Sequence, residues 1–387
     1  MRRRNRGWMT RATALAGALL FSCQGAEPPR SPETDETRAT MAEFVASLQV
    51  ALPLAMDREA FHDETNRAEL DAALARLQQG AVTLEGHGER QDAGFAHLSH
   101  SLARDAAEIT WRLGHQRAEE ARFLLTELVD HCVACHSRLP GPQASQLGRS
   151  LIESVDLDRL ARDDRIRLEI ATRQFGRALD DIEALFREEL IHPTQLDLAG
   201  FLVDYLRVAV RVTGELPRAA RFLDDWRAGQ ALPPYLDRLV ATWVEALGRL
   251  DTRSPPGQEL AVARSLAEEA AGLRRFPSDR RSLVHDLVVS SLLHRALARG
   301  DLPKTSEAEA YYLLGLAELY AEHTSWLAAP ESYLEAAVRA APGSPIAREA
   351  YLALEEDTLA GYSGSAGTYL PPAVETWLDE LRGLAGL

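Results

Sequence analysis

A chain of 387 residues has room for two or three domains, each with its own buried core. Hydrophobic residues make up 46% of it and charged residues 26%, the balance of an ordinary soluble globular protein. The formal charge of −15 sets nucleic-acid binding aside, because an anionic surface repels phosphate and favours basic partners or plain solubility. Leu, Ala, Arg and Glu dominate while aromatic and β-branched residues are sparse, so an all-α fold is expected.

The chain opens on a basic head, Arg2, Arg3, Arg4, Arg6 and Arg11, followed by an apolar run from Ala12 to Phe21. That run is too short to span a bilayer and suits the core of a signal peptide over residues 1–22. It ends in Leu20-Phe21-Ser22-Cys23, which resembles the lipobox of bacterial lipoproteins, with Phe21 where a smaller residue is usual. The resemblance implies lipidation of Cys23 and a position on the periplasmic side, anchored to a membrane through lipid alone. A plain secretory signal is the other reading. Loss of residues 1–22 removes five Arg and no acids, which leaves a formal charge of −20. Residues 23–37 read as a lipidated flexible tether, since the stretch from Glu27 to Thr40 is rich in Pro, Glu, Thr and Asp and has no apolar period.

Four amphipathic helices are predicted across residues 38–142. The first carries Met41, Phe44, Val45, Leu48 and Leu52, with Pro53 expected to kink or end it. The second opens near Asn66 and carries Leu70, Leu74, Leu77, Ala81 and Leu84 before Gly86 and Gly88. The third carries Phe95, Leu98, Leu102, Ile109 and Leu113, and Gly114 closes it. The fourth carries Ala121, Leu125, Leu128, Cys132 and Cys135 and stops before Pro140. Short connections between helices of similar length imply antiparallel neighbours, hence an up-down four-helix bundle.

Cys132-Val133-Ala134-Cys135-His136 has the spacing of a c-type haem attachment site. Two thiols three residues apart reach the two vinyl groups on one edge of a porphyrin, and the next histidine lies beneath the iron as an axial ligand. The expected cofactor is one haem c per chain, held by Cys132, Cys135 and His136, with His136 on the iron. A thioredoxin-like redox pair would want a strand–helix context that is not visible. A zinc site using His131 and His136 would lack the second cysteine pair usual in structural zinc.

Four helices with this motif at the end of the last resemble the cytochrome c′ family, over roughly residues 38–140. The resemblance implies that His136 is the proximal ligand. It also implies a role for a basic residue just after the motif, where Arg138 stands, either pairing with a haem propionate or solvated at the surface. For the sixth position the resemblance points to Met41, near the start of the first helix, as the second metal ligand. His97 and His100 are alternatives, and so is an open site. Met56 and His62 belong to the far end, roughly 20 Å away by helical rise.

Residues 143–387 stay helical with breaks at Pro193, 214–217, 229–234, 254–257, Pro277 and 300–303. The stretch 309–341, with Tyr311, Leu314, Gly315, Ala336 and Pro342, resembles a tetratricopeptide repeat. Weaker likenesses cover 263–279 and 173–188. The expectation is a tetratricopeptide-like α-solenoid that docks a redox partner protein, against an irregular helical domain. The Gly-rich stretch 362–368 lacks the ending of a phosphate cradle and reads as a turn. Taken together, an exported single-haem cytochrome that transfers electrons is expected. The alternatives are a gas-binding or sensing protein and a repeat scaffold with a structural haem. An enzymatic role is left undecided, with an electron carrier or ligand-binding haem protein preferred.

Overall fold

Helix follows helix from Pro32 to Ala385, as the Leu- and Ala-rich composition demands, and the only strands among the described residues are Ser363–Gly364 and Gly367–Thr368. The structure is a computed structural model. It describes residues 32–387 apart from 90–91, 139–144, 189–190, 199, 277, 322–326, 328–329 and 366. Residues 1–31, with the signal segment and Cys23, lie outside the described residues. The fold is all-α.

The first helices are α1 (Pro32–Met56), the short α2 (Arg58–His62), α3 (Glu64–Gly88), α4 (Ala93–Gly114), α5 (Ala118–Glu127) and α6 (Val129–His136). Side chains set their starts. Asp63 accepts from the Thr65 N–H ahead of α3, and Asp92 accepts from the Gly94 and Phe95 N–H groups ahead of α4. Three boundaries differ from expectation. α1 is already helical at Pro32, so the end of the segment read as tether is helix. Pro53 sits inside α1, one turn from its end, and the helix continues to Met56. The predicted fourth helix is divided at Leu128 into α5 and α6.

α1 packs on α3, α3 on α4, α4 on α5, and α5 returns to α1. The predicted stripes meet in one cluster: Phe44, Val45 and Leu48 with Leu70, Leu74 and Leu77, Leu102 and Ile109, and Leu125 and Leu128. Each of these side chains contributes about 1.5–3 kcal/mol by leaving water. Cross-links mark the two ends. Thr37 bonds His87 at 3.1 Å, while His62 bonds Glu119 at 2.5 Å and Arg122 donates to the Ala55 carbonyl at 3.0 Å. The segment Glu36–Met56 is long and apolar enough to cross a membrane by composition, yet its Phe44, Leu48, Ala51 and Leu52 are core residues.

Next come α7 (Gln146–Glu153) and α8 (Arg162–Ala171). α7 packs on α1, and α8 packs on α6. Leu52, Ile152, Val155 and Leu168 form a small cluster of their own at this seam.

The chain continues through α9 (Phe175–Phe186), α10 (Pro193–Leu198), α11 (Phe201–Leu206), a π-helical stretch over Arg207–Val212, α12 (Leu216–Gly229) and α13 (Pro234–Arg249). It ends with α14 (Glu259–Leu273), α15 (Leu283–Ala298), α16 (Lys304–Ala321), α17 (Pro330–Ala340), α18 (Pro345–Gly361) and α19 (Pro372–Ala385). From α14 onward each helix packs on the next, and α14, α16 and α17 also touch α16, α18 and α19. The largest core runs from Ile166 to Tyr333, centred on Trp243 and the apolar α15. α17 also reaches back to α4, and this contact places the second half of the chain against the end of α6.

Candidate functional site around the cysteine–histidine motif

Cys132 and Cys135 stand one helical turn apart on α6, on the stripe that continues from Leu125 and Leu128. Both thiols are free. Each cysteine is half-buried as a residue, and burial pushes the Cys132 thiol up to about 12 and the Cys135 thiol up to about 11. These are neutral thiols, unlike the acidic thiolate of a redox-active pair.

His136 ends α6, and its ring Nδ1 lies 2.6 Å from the backbone carbonyl of Ala171. A carbonyl only accepts, so Nδ1 carries the proton and donates. Burial, reinforced by the Arg173 charge, pulls the imidazole pKa down to about 4. The ring is therefore neutral at pH 7, with its lone pair on Nε2. A histidine whose Nδ1–H is tied to a main-chain carbonyl is set to offer Nε2 as a ligand.

The acceptor is the last residue of α8, and the turn that follows it is held from several sides. Thr172 Oγ1 donates to the Leu168 carbonyl at 2.7 Å, and Gln174 Nε2 donates to the Thr172 carbonyl at 3.0 Å. Gly148 of α7 approaches so closely that a Cβ there would lie 1.9 Å from the Thr172 carbonyl oxygen. Asp130 of α6 binds Arg167 of α8 at 2.9 Å and locks the two helices in register.

His131 faces the other way. Its Nε2 lies 3.4 Å from Ser101 Oγ and 3.3 Å from Asp105 Oδ2, both on α4. His131 and His136 thus have different surroundings, and among the described residues no three His, Cys, Asp or Glu side chains gather to hold a metal ion. A haem c asks less of the chain: two thiols and one imidazole, all present on α6. The donor set fits that group.

Other residues singled out from the sequence lie as follows. Met41 is half-buried in the third turn of α1, because that helix begins earlier than the sequence suggested, and it lies outside the core clusters. His97 is exposed, and the exposed His100 bonds Glu85 at 2.5 Å. Arg138 is neither solvated nor at the surface. It is 1% exposed, and its Nη1 donates to Tyr333 Oη of α17 at 2.5 Å.

Arg138 opens onto a buried ionic cluster that sequence reasoning missed. Asp92 Oδ2 lies 3.3 Å from His294 Nδ1, and His294 Nε2 lies 3.8 Å from Glu318. Glu318 accepts from Ser290 Oγ at 2.6 Å and pairs with Arg211 at 2.9 Å. Arg211 Nε donates to the Ser137 carbonyl at 2.8 Å. Burial opposes the charges on Asp92 and Glu318, but His294 and the arginines outweigh it and hold both carboxyls below their ordinary range. Arg211 stands in the π-helical stretch, a distortion often found at functional positions. One signal was available: α15 is apolar nearly all round, yet carries His285, Asp286 and His294. Ionisable side chains on such a helix must find partners inside the protein.

Compared with known protein families, with curated proteins and with solved structures, the chain matches none. The functional reading therefore rests on the residues themselves.

Proposed function

We propose that this chain is an exported c-type cytochrome carrying one haem, attached through Cys132 and Cys135 with His136 as the axial ligand, and that it transfers electrons. The observation that supports this best is the 2.6 Å bond from His136 Nδ1 to the Ala171 carbonyl, one residue beyond a pair of neutral thiols on one helix face. The haem would supply the one-electron chemistry. The residues of α6 and the α8–α9 turn would hold and orient it.

In this proposal α1 and α3–α6 form a cytochrome c′-like four-helix bundle, and the later helices form a tetratricopeptide-like array for docking a redox partner. Lipidation at Cys23 would tether the protein on the periplasmic side. The −20 charge of the processed chain favours a basic partner.

The test is direct. Denatured wild-type chain should keep its haem, and Cys132→Ala/Cys135→Ala should lose it. Haem that leaves the denatured wild-type chain without covalent cleavage sinks the proposal.

A second reading draws on the histidine partners. His100 is engaged with Glu85, His87 with Thr37, and His97 is exposed, which leaves Met41 or an open position for the far side of the iron. An open position favours gas binding over electron transfer. A far-red methionine–iron band lost in Met41→Ala supports electron transfer, and rapid carbon monoxide binding to the reduced wild type supports the second reading.

A further inference from the structure

Two arginines bear on the motif, and they differ in what they already hold. Arg138, the residue the sequence offers, is committed. Its guanidinium donates to Tyr333, lies 5.7 Å from that ring's centroid, and faces the Asp92–His294–Glu318 cluster. A guanidinium so placed already has buried carboxylates to balance its charge.

Arg173 is the opposite case. It sits in the α8–α9 turn, two residues after the carbonyl that receives the His136 proton. Among the described residues no carboxylate pairs with its guanidinium, and its only hydrogen bond is the backbone one from its N–H to the Ile170 carbonyl. The side chain is half-buried all the same, and it leaves the backbone two residues beyond the carbonyl that the His136 ring touches at 2.6 Å. Its backbone is also unusual, with φ of 59° in the left-handed region that side-chain-bearing residues avoid. That φ closes α8 in a Schellman cap, with the Gln174 N–H on the Glu169 carbonyl at 2.8 Å, so it is the half-buried cation without an acid that asks for a counter-ion.

We infer that Arg173, rather than Arg138, is the residue that pairs with a propionate carboxylate of the haem held at Cys132, Cys135 and His136. The inference rests on the haem proposal and deepens it. A guanidinium fork matches a carboxylate with two parallel hydrogen bonds, and a half-buried site strengthens them. The end of α8 would then serve the group twice, through the Ala171 carbonyl that orients His136 and through Arg173 on a propionate.

The experiment uses the full chain isolated with its haem, comparing wild type, Arg173→Gln and Arg173→Lys. Covalent haem is measured first on the denatured chains; its absence from wild type overturns the haem proposal and this inference together. With haem attached, the propionate-bending band in resonance Raman should shift in Arg173→Gln and return part of the way in Arg173→Lys. The midpoint potential should fall in Arg173→Gln, because loss of a nearby positive charge favours the oxidised iron. A band and a potential both at wild-type values in Arg173→Gln overturn the inference while the haem proposal stands. Should Arg173→Gln fail to accumulate, Arg173→Lys decides alone, since an unchanged propionate band there also overturns it.

Discussion

Arg211 Nε donates to the backbone carbonyl of Ser137 at 2.8 Å, so the residue after the motif's histidine is held by a guanidinium from the second half of the chain. The same arginine pairs with Glu318, and both side chains are fully buried. The end of α6 is thereby built into the core of the later helices. Its position depends on ions that water does not reach.

Breaking that pair from one side should be severe. Arg211→Met or Glu318→Gln leaves a buried charge without its counter-ion, and each should cost about 3–5 kcal/mol in urea unfolding. The double variant Arg211→Met/Glu318→Leu should lose less than the two single losses combined, because neither charge then remains. Strict additivity would show that the two residues are not coupled.

Glycines separate close approach from mere flexibility. Gly148→Ala puts a Cβ 1.9 Å from the Thr172 carbonyl oxygen and must push the turn that follows Ala171. A loss of about 1–3 kcal/mol is expected, together with a changed His136 ring signal by NMR. At Gly248, inside α13, an added Cβ would meet nothing within 4 Å, so Gly248→Ala should raise stability by about 0.5–1 kcal/mol. Equal behaviour of the two variants would refute the close-packing argument.

His294 makes a prediction about pH. Burial opposes its charge, but Asp92 and Glu318 outweigh burial and raise its pKa above the ordinary histidine value. A group whose folded pKa is raised contributes fully below its unfolded value, about 6.5, and loses that contribution as pH climbs through the folded one. Stability should therefore decline on the alkaline side of neutrality, and His294→Gln should flatten that decline. Denaturation midpoints across pH, compared between the two proteins, test it. A steeper alkaline decline in the variant would give the sign the other way.

Tyr333 links α17 to α4 and to the motif's Arg138. Tyr333→Phe keeps the ring and deletes the oxygen that Arg138 Nη1 uses, leaving a buried donor short of an acceptor. About 1–3 kcal/mol should be lost in urea unfolding, and amide exchange should quicken at the start of α4, where Gly94 packs against Tyr333. Unchanged exchange there would mean that the contact does not couple the two regions.

Much of the local structure was legible because it is periodic. Phe44, Leu48, Leu70, Leu74, Leu102, Ile109, Leu125 and Leu128 fall on helical stripes, and a stripe must find another stripe to leave water. Helix ends were less legible. Nothing local says that Pro53 is tolerated one turn before a terminus, or that Leu128 divides a helix, since both depend on what packs beside them.

The chemistry divides in the same way. Three residues within one helical turn, Cys132, Cys135 and His136, are determined by sequence alone, because their spacing fixes their common face whatever the rest of the chain does. What the histidine ring touches is not local. Its acceptor at Ala171 lies 35 positions on, and the tyrosine that takes Arg138 lies 195 positions on. Arg138 looks like any surface arginine until α17 closes over it, and Arg173 looks like any loop arginine until the end of α8 meets the His136 ring. Spacing determined which atoms stand together on one helix. Only tertiary packing decided which of their neighbours lost water, and with it which charges had to find partners.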